Sequence, residues 1–288
     1  MKKILNATEA RVNEQLKKIC EEFEAHVWVK ERLADVLKIE NSGIDNHAYS
    51  YALKSHFDFI ISDKEFIPLF GVEFDGPTHN QAASIENDKI KNQLCEKFGF
   101  PLLRIRYNYL ETRARGMDFL TWLIEVWFSE QSFNEEQQAG NIPYDESFDP
   151  LAILYQSKKN GAFPYRLSLP HAIQIEKLAK EGKCQEPVLS SMIASDKEGN
   201  LRGLGFIKVN DKGYAFAETA MRAQSFPFAS DLFDEIVQIE THGALLKILN
   251  GDGDIIAPEF LDERIKNFQN NYELRRASGY GSKIGDLR

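Results

Sequence analysis

The hexapeptide Phe70-Gly71-Val72-Glu73-Phe74-Asp75 constrains this chain more than any other stretch. In a β-strand, successive side chains alternate between the two faces. Phe70, Val72 and Phe74 therefore share one face, and Gly71, Glu73 and Asp75 share the other. Ile67 to Phe70 lead into it as an apolar run, which is the pattern of a buried strand. Two carboxylates on one buried face repel each other unless a cation or a proton offsets their charge. Just upstream, Phe57 to Ser62 also reads as a strand, with Asp58 pointing away from Phe57 and Phe59. Ser62 to Glu65 reads as a turn, so the two strands can form a hairpin that brings Asp58 to Glu73. The result is a two- or three-carboxylate oxygen site, a hard-ligand environment suited to Mg²⁺ or Mn²⁺.

The elements around this hairpin carry more ionisable residues on apolar faces. Asn6 and Glu9 have the spacing of a capping box, followed by Val12, Leu16, Ile19 and Phe23 along one helical face. Glu9 falls on that apolar face too. His26 to Val29 and Leu33 to Leu37 read as short strands or one bent strand, and His47 to Ser55 as a helical turn or more. Ser84 to Phe98 reads as a helix closed by Gly99, with Ile90, Leu94 and Phe98 as its buried stripe. Lys91 lies inside that stripe and Asp88 at its edge, so each either snorkels or meets a partner. Pro101 to Asn108 reads as a buried strand that points Arg104 and Arg106 to one face, as ion-pair partners of the carboxylates or as phosphate ligands. Gly116 to Phe128 reads as a very apolar helix. Side chains that break binary patterning in several elements, and could converge, are the mark of a site.

The order and spacing of TEARVNEQL, VKERLADVL, HFDFIIS, VEFDGPTHN, NDKIKNQLCEKFG and PLLRIR resemble the PD-(D/E)XK nuclease superfamily. More narrowly, they resemble a bacterial group of uncharacterised domains related to the very-short-patch-repair endonucleases. The resemblance covers residues of about 6 to 110. It implies an α/β fold with a restriction-endonuclease-like core, in the order αβββαβ, with a mixed sheet flanked by helices. It implies a Mg²⁺- or Mn²⁺-dependent endonuclease that hydrolyses phosphodiester bonds of nucleic acid, DNA first, in restriction, repair or phage defence. Asp58, Glu73 and the Phe74 backbone carbonyl would hold the metal. Glu9 would be the accessory glutamate of the first helix. Asp75, His79, Asp88 and Lys91 would complete the site, with Arg104 and Arg106 on the nucleic acid. The motif lysine expected two residues after Glu73 is Asp75 here. Lys91 could supply that charge and His79 could serve as base or ligand. The alternative is a catalytically inactive, nuclease-like module that binds nucleic acid or protein.

Composition narrows the rest. Lys and Arg number 35 against 44 Asp and Glu, a net charge of −9, which excludes a uniformly basic nucleic-acid coat but not a local groove. Three scattered cysteines, Cys20, Cys95 and Cys184, fit neither a disulfide framework nor zinc spacing, and suit a reducing cytoplasm. No run of about 18 apolar residues suggests a membrane span, and the start of the chain does not read as a signal peptide.

Residues 131 to 150 are polar and acidic and read as a linker between a domain over 1–130 and an α+β domain over 151–288. In the second domain, Ser168 to Gly182 reads as a helix and Pro187 to Ala194 as a short one. Gly203 to Val209 and Gly213 to Glu218 read as a hairpin around Asn210-Asp211-Lys212. Ser230 to Leu249 and Pro258 to Asn270 read as helices, before a basic tail expected to fray. This domain could mediate homodimerisation, dock a partner protein or select substrate. Asn250 to Asp254 is not a calcium loop, because Ile255 replaces the turn glycine and Leu261 the closing glutamate. Gly279 to Gly285 lacks phosphate-loop spacing. His171 and His242 read as packing or surface residues without a metal partner.

Overall fold

A computed structural model of the chain describes residues 3–75, 82–113, 116–151, 154–157, 161–164 and 166–279. The protein is a mixed α/β molecule. It divides into two compact units, one of Met1–Phe148 with Gln224–Ala229, the other of Asp149–Ala223 with Ser230–Arg288.

The first unit runs α1 (Ala7–Glu21), β1 (His26–Val29), α2 (Leu33–Val36), α3 (Asn46–Lys54), β2 (Phe59–Ser62), β3 (Pro68–Phe74), α4 (Ala82–Lys97), β4 (Leu102–Ile105) and α5 (Phe119–Gln138). The sheet order is β1-β2-β3-β4, with β1 and β3 antiparallel to β2, and β4 parallel to β3. The alternation expected for β3 is present. Phe70 packs on Trp127 of α5 with ring centroids 4.9 Å apart, and Gly71 lies on the opposite face. A Cβ at Gly71 would sit 3.0 Å from Leu102 and 3.1 Å from Phe57, so any larger residue would require these side chains to give by a few tenths of an ångström. The core on that face joins Phe57, Ile60, Phe100 and Leu102 to Leu33 and Leu37, to Ala52 of α3, and to Ile90 and Leu94 of α4.

Three local expectations change. Leu33 to Leu37 contains a single helical turn, not a strand. Its two buried leucines are four apart, a spacing that a short apolar run leaves ambiguous between the two periods. The strand expected from Phe57 begins only at Phe59, because the Asp58 N–H leaves the ladder for a carboxylate. The last helix starts later and runs further, over Phe119–Gln138, into the segment read as linker. Asp118 caps it by accepting from the Thr121 N–H at 2.7 Å.

The second unit holds the antiparallel sheet β10-β7-β8-β9, formed by β7 (Ser190–Ser195), β8 (Leu201–Asn210), β9 (Gly213–Met221) and β10 (Glu273–Ser278). It also holds the hairpin of β5 (Leu154–Ser157) and β6 (Gly161–Pro164), and the helices α6 (Leu169–Lys180), α7 (Ala229–Leu249) and α8 (Pro258–Asn271). The hairpin around Asn210-Asp211-Lys212 and the three long helices follow the expected positions. Two expectations fail. Pro187 to Ala194 is largely strand β7, whose six residues are all buried between two neighbours, so no alternation betrays it. The basic tail does not simply fray, since Glu273 to Ser278 pairs with β7 as an edge strand.

α7 lies across β8 where the strand has no side chains. A Cβ on Gly205 would stand 2.0 Å from Thr241 Oγ1. Gly205→Ala is expected to cost about 1–3 kcal/mol by overpacking. Gly243→Ala, where nothing lies within 4 Å, is expected to be neutral or slightly stabilising. Urea midpoints of the two variants test this directly.

His171 and His242, read above as packing or surface residues, pack against each other, their Nδ1 atoms 2.7 Å apart between α6 and α7. Burial lowers the pKa of both. His242 falls from 6.5 to about 4, with any charge on His171 as the second cause. The folded state thus favours neutral rings. Their contribution is complete above pH 6.5 and is lost as pH falls toward 4. The urea midpoint should drop across that window, and His242→Gln should flatten the drop. An unchanged pH profile in that variant would contradict the assignment.

Candidate active site

The site lies at the end of the first unit's sheet, where α1, the segment after β1, the start of β2 and the end of β3 meet. Its first carboxylate is set by helix capping. Glu9 Oε2 accepts from the Asn6 N–H while Asn6 Oδ1 accepts from the Glu9 N–H, both at 2.9 Å. The two readings of Glu9, cap or site residue, are therefore compatible, because its other oxygen, Oε1, accepts from Lys30 Nζ at 2.9 Å. Lys30 Nζ also donates to Asp58 Oδ1 at 2.6 Å. Asp58 Oδ2 accepts from the Phe74 N–H at 2.9 Å, and the Asp58 N–H donates to Glu73 Oε1 at 3.2 Å. Asp58 and Glu73 are thus locked side by side, Asp58 by the Phe74 N–H and Glu73 by the Asp58 N–H.

Behind them lie two sealed cations. Lys91 from α4 donates to Glu73 Oε2 and to the His56 carbonyl, both at 2.8 Å, and sits 5.6 Å from the centre of the Phe57 ring. Burial raises the Glu73 pKa, Lys91 opposes that rise, and the charge of Asp58 adds to it. Arg104 from β4 is 3.2 Å from Asp75 Oδ1 and 3.3 Å from Asp88 Oδ1, and donates to Asn92 Oδ1 at 2.9 Å. Its backbone N–H donates to Gln224 Oε1 at 2.9 Å. Of the two roles weighed for Arg104, the ion pair is the one present. With 3% of its surface exposed it offers no open guanidinium to a phosphate. Arg106, the next residue on that face, is exposed.

Glu9, Asp58, Glu73 and Lys91 are therefore brought together. Asp75 and Arg104 form an adjoining pair on the same sheet face, one step along β3 and β4. His79 lies outside the described residues. Lys30 is the member that sequence reasoning missed. It follows the last residue of β1 with a left-handed φ of 58°. A lone lysine at a strand end reads as solvated, and only that backbone turn aims it inward. Burial pulls its pKa down, but the hydrogen bonds and charges of Asp58 and Glu9 outweigh this and leave it raised.

Among the described residues, no group of three His, Cys, Asp or Glu is arranged to hold a metal. The donor chemistry still fits a hard divalent cation. Asp58 and Glu73 are adjacent oxygen donors, and a cation, the Lys30 ammonium, already bridges Glu9 and Asp58.

Fold and site together define a mixed α/β unit with an acidic, lysine-bridged cluster at one end of its sheet. Residues 1–116 match the model of a family described as "Protein of unknown function (DUF2726)", a span that holds every residue of the cluster. No curated protein and no solved structure matches the chain. Among the described residues, no helix is long and apolar enough to cross a membrane.

Proposed function

We propose that the first unit is a metal-dependent nuclease that hydrolyses phosphodiester bonds of nucleic acid, with DNA as its first substrate class. One observation carries this reading: Glu9, Asp58 and Glu73, from three separate elements, converge where lysine ammonium groups hold them at hydrogen-bond distance. The strand arrangement supports it: α1 leads into an antiparallel β1-β2-β3 meander, interrupted by α2 and α3 between β1 and β2, and a parallel β4 is reached through α4. Apart from those two helices, this follows the αβββαβ order that the resemblance implies.

In this reading Asp58, Glu73 and the Phe74 carbonyl hold Mg²⁺ or Mn²⁺. Such an ion lowers the pKa of a bound water and polarises the phosphate. Lys91 opposes the rise that burial causes in the Glu73 pKa and fixes its rotamer. Arg104 pairs with both Asp75 and Asp88, which lets the Asp75 side chain sit buried just past the end of β3. Arg106, exposed beyond β4, is placed to contact a phosphate. A second reading, a nucleic-acid-binding module that does not cut, is favoured by one feature: the motif-lysine position is Asp75, and an arginine already engages it.

Incubation of supercoiled plasmid, single-stranded DNA and RNA with the full chain and Mg²⁺ or Mn²⁺ tests the proposal, with EDTA as control. Metal-dependent cutting is expected. A salt-sensitive mobility shift without cutting would replace it by the second reading.

A further inference from the structure

We infer that Lys30 and the divalent ion exchange at Asp58, and that the displaced ammonium becomes the cation that meets the scissile phosphate. This inference rests on the nuclease reading above.

The geometry sets up the exchange. Lys30 Nζ stands 2.6 Å from Asp58 Oδ1, on a carboxylate of the proposed ligand set, and 2.9 Å from Glu9 Oε1. A divalent cation and an ammonium repel each other at contact distance, so the two cannot share those oxygens. The lysine also has room to leave. Its side chain is 31% exposed, whereas that of Lys91 is 8% and that of Arg104 is 1% exposed. Both sealed cations are held by fixed carboxylates, and neither can follow a substrate.

The backbone shows that this placement is specific. Lys30 adopts a φ of 58°, a region that side chains other than glycine rarely enter, and such strain persists where surrounding contacts impose it. Here the Lys30 N–H donates to the Asp58 carbonyl at 3.1 Å, which anchors the base of the side chain beside the carboxylate it serves. The four-carbon stem can then swing while its root stays at the site.

Charge balance gives the displaced ammonium its role. Glu9, Asp58 and Glu73 carry three negative charges, which one divalent ion and Lys91 together balance. A phosphodiester brings one more, and its transition state concentrates charge on the phosphoryl oxygens. Lys30 is an accessible cation at this rim, in a chain whose position 75 is Asp instead of the motif lysine.

The test measures Mn²⁺ affinity without substrate, by calorimetry and electron paramagnetic resonance, on the full chain and its Lys30→Met, Lys30→Gln and Lys30→Arg variants. Melting temperatures serve as a control for folding. The neutral variants should bind Mn²⁺ about tenfold tighter than the native chain, because no internal cation competes, while Lys30→Arg should not gain affinity. At saturating Mn²⁺ the neutral variants should cut about a hundredfold more slowly, with partial recovery in Lys30→Arg. Unchanged or weaker Mn²⁺ binding in a folded neutral variant would overturn the exchange. Undiminished cleavage would overturn the phosphate role. Absence of Mn²⁺ binding in every form would defeat the nuclease reading itself, and the inference with it.

Discussion

Replacing Asp58 by Asn is expected to reduce metal-dependent cleavage by on the order of 10²–10³-fold or more, the scale seen when a preorganised charge is taken from a reacting phosphate or acyl centre. Asn is the informative choice. It preserves an acceptor for the Phe74 N–H, which an alanine would leave without its partner. The fold should therefore survive while a charged ligand is lost. Glu73→Gln should behave alike, since the amide oxygen can still accept from Lys91 or from the Asp58 N–H. Initial rates on plasmid DNA in Mg²⁺ and Mn²⁺, with thermal melting of each variant, provide the measurement. Native rates in folded Asp58→Asn and Glu73→Gln would remove these residues from the chemistry and the nuclease proposal with them.

Lys91→Met should cost about 3–5 kcal/mol of stability at pH 8, because it leaves a buried Glu73 carboxylate without its cation and the His56 carbonyl without a donor. The loss should depend on pH with a definite sign. Burial already raises the Glu73 pKa above 4.5 in the folded state, and removing Lys91 raises it further. The destabilisation is full above that raised value, where Glu73 must ionise without compensation. It shrinks as pH falls toward 4.5, where the buried carboxyl holds its proton. Denaturant titrations at pH 8 and pH 5 would show it. The double variant Lys91→Met, Glu73→Leu should recover most of the stability, since a buried ion pair is often no better than a well-packed apolar one. An equal loss at both pH values would mean that Lys91 acts through packing alone.

These expectations draw unequally on sequence and structure. The hairpin was legible because β3 alternates between an apolar face and a carboxylate face. Lys91 was legible because a lysine inside the Ile90–Leu94 stripe has to find an anion. The capping box of Asn6 and Glu9 was legible from spacing alone. The elements that escaped are those whose local pattern is ambiguous. Strand β7 is buried throughout and shows no period of two. Leu33 and Leu37 serve a helical turn as readily as a strand. β10 is an exposed edge whose pairing depends on a partner some eighty residues upstream, as in the Ser191–Ser278 register.

The sequence by itself determined which residues break their patterns: Glu9, Asp58, Glu73, Asp75, Lys91 and Arg104, each a charge on a face that should be apolar. That is local information, carried by periods of 2 and 3.6 residues. Only the tertiary structure decided how the charges pair. Arg104 turns to Asp75 and Asp88, Lys91 to Glu73, and Lys30 crosses from the end of β1 to join α1 to the start of β2. Such choices depend on which elements meet and on one left-handed residue. Coulomb attraction and the cost of burying an unpaired charge act between atoms that neighbour each other in space, at any separation along the chain.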